Sequence, residues 1–149
     1  MSDERFDATA GELALQLGTS FVLVALMIVI HSIGLIEMSR RLHLKQEELE
    51  GRNFDYSAVM LMAGLGSLLV TLHIIEIVIF ALFYLSIGAL TSLESALYYS
   101  ATAYSTLGAA TPFFAQEWRL VGAVEALMGF ILIGWSTAFM VSTVDRLRG

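Results

Sequence analysis

The chain has 149 residues, 57% of them hydrophobic and 15% charged, and a mean hydropathy of +0.75. A soluble domain has about 45–50% apolar and about 25% charged residues, so the composition points to a membrane protein. The net charge of −6 argues against a nucleic-acid partner, and the lack of cysteine excludes disulfides, thiolate metal sites and thiol catalysis.

The chain begins with an acidic stretch, Met1-Ser2-Asp3-Glu4-Arg5-Phe6-Asp7, and a first apolar run covers 13–36. No small-residue cleavage site follows, so this run is not expected to be a cleaved signal peptide. It contains one histidine, His31, which reads as a helix-packing group and is assigned no role. The linker 40–55 carries Arg40, Arg41, Lys45 and Arg52, and its Lys45-Gln46-Glu47-Glu48-Leu49-Glu50 stretch is expected to form a short amphipathic helix at the surface. A second run, 57–87, is interrupted by His73 and Glu76. Residues three apart share a helix face, and ionisable groups near mid-membrane are costly and therefore functional candidates. A hydrogen-bonded pair that pins the helix to its neighbours is the favoured reading, with proton or pH sensing as the alternative. Two such ligands do not make a metal site, because a third and fourth have to come from other runs.

Residues 88–118 are too few for a domain. Thr91-Ser92-Leu93-Glu94 has the Thr-x-x-Glu pattern of a capping box, which predicts a helix over 92–104. Gly108 permits a sharp change of backbone direction, and Pro112 blocks a continuing helix. Phe113, Phe114 and Trp118 suit an interfacial aromatic belt. A third apolar run follows at 120–144, interrupted by Glu125. Each of the three runs is long enough to cross the hydrocarbon core, which takes about 20 residues. Arg40, Arg41, Lys45 and Arg52 lie after the first run and Arg146 and Arg148 after the third, whereas only Arg5 and Arg119 fall on the opposite side. The excess of positive charge marks the cytoplasmic face. It places the N-terminus outside and the C-terminus in the cytoplasm of a multi-pass cell-membrane protein.

A short helix, a glycine turn, an aromatic loop and a spanning run form the order of a re-entrant pore loop. Non-helical backbone at membrane depth survives only where protein or a water-filled path satisfies it. The expected fold class is therefore all-α membrane protein, with three transmembrane helices, a re-entrant pore helix and a filter loop.

Leu97-Tyr98-Tyr99-Ser100, Ser105-Thr106-Leu107-Gly108, His73-Ile74-Ile75-Glu76 and the stretch from Trp118 to Ala138 resemble the pore domain of the tetrameric potassium-channel superfamily, in particular its small bacterial members. The resemblance covers about residues 57–144. It implies a pore domain over 57–149, preceded over 1–56 by an extra transmembrane helix and a cytoplasmic linker. Four copies would surround an axis, with the second run as outer helix, 92–104 as pore helix, 106–110 as filter and the third run as inner helix. The family filter reads Thr-Val-Gly-Tyr-Gly-Asp. Thr106, Leu107 and Gly108 match its first three positions, but Ala109, Ala110 and Thr111 replace the last three. Stacked carbonyls substitute for potassium's hydration shell in such a filter. The departure implies a shortened, wider or rearranged one that retains only the inner sites near Thr106 and Leu107.

Within that plan Glu125, about two turns into the inner helix, reads as a buttress of the pore helix through Ser or Tyr hydroxyls in preference to a charge beside the cation path. Gly134, Ala138 and Ser142 have the spacing that lets helices approach closely. Gly129 and Gly134 are candidate gating hinges, and His73, Glu76 and Glu125 are candidate gating or sensing groups. The expected function is a homotetrameric channel for monovalent cations, potassium or sodium, with weakened selectivity. No enzyme activity, cofactor or metal is expected beyond the permeating cation at Thr106 and Leu107, and the expected partners are further copies of the chain and membrane lipid. A non-conducting pore-like structural or regulatory protein is the alternative. A membrane enzyme or proton-coupled carrier using His73 and Glu76 ranks last, for want of a nucleophile–base pair, a phosphate loop or an inverted repeat.

Overall fold

The computed structural model describes residues 9–49, 56–108 and 114–148. Its elements are α1 (Ala10–Leu49), α2 (Tyr56–Ser86), α3 (Leu93–Tyr104) and α4 (Arg119–Arg148), with a 3-10 turn at Gln116–Trp118 leading into α4. Among the described residues there is no strand. Three segments are long and apolar enough to cross a membrane, Ala10–Leu42, Ala58–Ser86 and Gln116–Arg146. The chain is an all-α, multi-pass membrane protein. Helices suit that setting because they satisfy every backbone group internally where no water can. Phe21, Val22, Ile33, Val59, Leu82, Leu127 and Phe130 are exposed, and only lipid tails or another protein chain can cover such a surface at no cost.

The helix starts show how local sequence sets the boundaries. At α1, Glu12 N–H donates to Thr9 Oγ1 at 3.3 Å and Thr9 N–H donates to Glu12 Oε2 at 2.7 Å, a reciprocal capping box. At α3 the cap is Ser92 and not Thr91. Ser92 has extended backbone and accepts from Ser95 N–H at 3.1 Å. The helix therefore starts one residue later than the Thr91–Glu94 pattern predicts, because the serine hydroxyl captures the third N–H of the helix first.

The linker differs from expectation. Residues 45–49 do not make a separate surface helix, because α1 continues unbroken to Leu49. Residues 37–49 contain no glycine or proline and are rich in good helix formers. Arg41 and Glu37 add an exposed i,i+4 ion pair at 2.9 Å, a contact worth about 0.3–0.5 kcal/mol.

The chain forms two compact units, Met1–Leu26 with Ile77–Phe130, and Met27–Glu76 with Ile131–Gly149. The first holds α3 and the aromatic side chains around it. Within it Gln16, buried on α1, accepts from Leu120 N–H at 3.2 Å, which satisfies a donor at the start of α4 that has no partner in its own helix. The second is built on an aliphatic cluster of Leu35, Met38 and Leu42 from α1 with Leu61, Leu65, Leu69 and Leu72 from α2. These spacings put each set on one helix face.

Candidate functional site

The candidate filter begins where α3 ends. Ser105 N–H donates to Ala101 O, Thr106 N–H to Ala103 O at 2.9 Å, and Gly108 N–H to Thr102 O at 3.2 Å. These bonds close the helix and reverse the chain. Thr106 has φ 61 and Gly108 φ 71. Glycine ordinarily fills such a left-handed position after a helix. A β-branched threonine there is an outlier, at a cost of about 1–2 kcal/mol. Thr106, Leu107 and Gly108 are all exposed, and Leu107 is 79% so. The filter positions Ala109 and Ala110 lie outside the described residues.

A buried polar centre fixes α3 against α2 and α4. Glu125, Tyr84 and Ser100 are each 0% exposed. Tyr84 donates to Glu125 Oε2 at 2.6 Å, and Ser100 Oγ lies 2.5 Å from Glu125 Oε1 and 2.9 Å from Ile77 O. The carboxyl group of α4 thus joins a hydroxyl from α2 to one from α3. Aromatic rings surround it. Tyr84 meets Tyr99 and Phe114 edge-on at 5.2 and 5.3 Å, and Tyr99 stacks on Phe114 at 4.0 Å. Phe114 therefore packs inside the unit and is not part of an exposed belt. Trp118 packs edge-on to Phe83 at 6.0 Å.

Gly129 and Gly134 differ sharply. A Cβ on Gly129 would overlap the carbonyl oxygen of Tyr104, at the end of α3, whereas one on Gly134 would meet nothing. Gly129 is the contact that lets the helix end approach α4. Gly134, Ala138 and Ser142 are exposed along α4, so among the described residues no close approach uses their small size.

In the second unit, Glu76 is fully buried and 3.2 Å from His73 Nδ1, the pair the spacing predicts. The sequence reading missed the third member. His31 of α1, also fully buried, places Nδ1 2.9 Å from Glu76 Oε1. Its Nε2 is 3.3 Å from Ser136 Oγ of α4, and its ring lies 5.8 Å from that of Trp135. His31 lies on a different helix, and spacing along α2 carries no signal for it. Tyr84, the partner of Glu125, gave no signal either.

Residues 68–146 match the family model described as ion channel, the two-transmembrane potassium-channel-like domain. The match takes in the later part of α2, all of α3 and nearly all of α4, and leaves α1 outside. No curated protein and no solved structure matches the chain.

Proposed function

We infer, because this chain belongs to the ion channel family of potassium-channel-like pore proteins, that it is a homotetrameric channel for monovalent cations, potassium or sodium, with weakened potassium selectivity. In this reading 57–149 is the pore domain and 1–56 an added helix and linker. Four copies place α2 outside, α3 as pore helix, 106–110 as filter and α4 inside, because one pore loop cannot encircle an ion and cyclic symmetry is the usual solution for identical chains. The observation that carries the reading is the end of α3. There a docked helix delivers a strained, exposed Thr106-Leu107-Gly108 turn, and strain of this kind gathers at functional sites. The partly negative C-terminus of α3 favours cations ahead of it. Thr106 and Leu107 carbonyls supply the retained ion sites, and Ala109 and Ala110 stand where the outer sites would form. The pore needs no cofactor and catalyses no reaction.

The test is a reversal potential with potassium on one side of a planar bilayer and sodium on the other. Fewer carbonyl sites leave more water on the ion, so the two cations separate less. The unmodified protein should show only a few-fold preference, where each tenfold preference displaces the reversal potential by about 59 mV. Ala109→Tyr with Ala110→Gly should raise the potassium preference. A strongly potassium-selective unmodified channel overturns the filter reading, and the absence of any conductance favours the structural or regulatory alternative.

Orientation is tested separately. The chain has no cysteine, so Gln116→Cys and Lys45→Cys each introduce a single label site. A membrane-impermeant thiol reagent added outside cells should modify the first and spare the second. Labelling of both from the same side contradicts the proposed topology.

A further inference from the structure

We propose that His31, His73 and Glu76 form a resident binding site for a divalent transition ion of the zinc class, independent of the channel reading. The side chains come from two helices, His31 from α1 and His73 and Glu76 from α2. One ligand atom from each lies within 4.8 Å of the others. Zinc bonds to nitrogen and oxygen are about 2.0–2.2 Å long, so a tetrahedral site needs donor atoms roughly 3.3 Å apart. His31 Nδ1 lies 2.9 Å from Glu76 Oε1 and His73 Nδ1 3.2 Å from Oε2, two different carboxylate oxygens, so the three donors, within 4.8 Å of one another, must draw together for a single oxygen to serve as ligand. Three protein ligands leave a fourth position for water.

The donor set selects the ion. Two imidazoles and a carboxylate suit zinc and its first-row neighbours, whereas calcium and magnesium require shells of oxygen. Two ligands from α2 weigh against a metal, but His31 of α1 adds a third.

The surroundings fit a ligating histidine. Coordination through Nδ1 leaves the His31 proton on Nε2, where it donates to Ser136 Oγ 3.3 Å away. The imidazole moves its own proton from one ring nitrogen to the other and stays neutral. Metal-bound histidines usually donate their second N–H to such a partner, which fixes the ring and tautomer. His31 and Glu76 are sealed at 0% exposure, while His73 reaches the surface of its unit at 18% and provides the way in. An ion held here staples α1 to α2.

A purely hydrogen-bonded clasp is the competing reading, and zinc separates the two. Purified full-length protein is stripped with chelator, dialysed against zinc and then against metal-free buffer, and its metal content measured. The unmodified chain should retain one zinc per copy. X-ray absorption at the zinc edge should show two imidazole nitrogens at about 2.0–2.1 Å. His73→Gln, at the accessible member, should lose the retained zinc. Ser136→Ala should weaken affinity about tenfold. His43→Gln, which removes the only other histidine, should change nothing. Because the spectrum and stoichiometry are read on the unmodified protein, misfolding of a variant cannot hide the answer. Unmodified protein that holds no more zinc than His73→Gln, or whose zinc shows an all-oxygen shell, overturns the proposal.

Discussion

Glu125→Ala lowers the stability of the chain by about 2–3 kcal/mol, as expected when an acceptor is removed from a buried hydrogen-bonded network and a donor is left unsatisfied. The substitution leaves the hydroxyl of Tyr84 without its acceptor and opens space between α2, α3 and α4. Ser100 keeps the Ile77 carbonyl, so the loss falls mainly on the α2–α4 contact. In a thermal unfolding experiment in detergent the change is of order 10 °C. Glu125→Gln keeps one acceptor oxygen and costs roughly a third as much. Adding Tyr84→Phe to Glu125→Leu removes donor and acceptor together, and the pair costs less than the sum of the single changes. Glu117, exposed on the 3-10 turn that precedes α4, is the control carboxylate, and Glu117→Ala leaves the midpoint in place. An unchanged midpoint for Glu125→Ala would show that α3 is held by its aromatic contacts alone.

Gly129→Ala has the second large effect, and a single methyl group causes it. The new carbon would overlap the Tyr104 carbonyl oxygen and lie 2.8 Å from the carbonyl carbon. Those atoms belong to backbone and cannot rotate away, so either α3 or α4 must shift. Overpacking usually costs about 1–3 kcal/mol, and an obstruction made of main chain belongs at the top of that range. The shift displaces the end of α3, and with it the Thr106–Gly108 turn, so ion flux falls along with stability. Gly134→Ala provides the comparison on the same helix. Nothing lies within 4 Å of its added carbon, and the alanine favours the helix by about 1 kcal/mol. The single chain therefore tolerates it. Equal thermal midpoints for the two variants would contradict the close approach described at Tyr104.

The sequence carried the long elements well because the bilayer imposes a strong and simple rule. Apolar length alone located the three spans, and the second half of the α3 prediction ends on Tyr104 as observed. Local chemistry was less decisive. Thr91 and Ser92 are both good caps, and nothing in the sequence says which hydroxyl reaches an N–H first. The same pattern at Thr9 and Glu12 is a true capping box, although it precedes the apolar run. The end of α1 was misread since a polar composition resembles a linker, although it contains nothing that breaks a helix. The polar centres were only half legible. Glu76 with His73 follows from helical spacing, but His31 joins them through the rotation and depth of a different helix. Tyr84 and Glu125 meet for the same reason. Such contacts are set by packing between helices, and periodicity along one helix does not encode them.

The unbroken course of α1 also has a mechanical consequence. Its 40 residues make a rod about 60 Å long at 1.5 Å per residue, twice the roughly 30 Å of a bilayer's hydrocarbon core. A rigid rod gripped over part of its length is a lever. Tilting it by about 5° moves a point about 30 Å from the pivot by about 2–3 Å. Arg40, Arg41 and Lys45 lie toward its far end, and His31 lies further in. Between Arg40 and His31, within one unit, the helix is unbroken, so a pull on the basic end travels over that stretch as displacement.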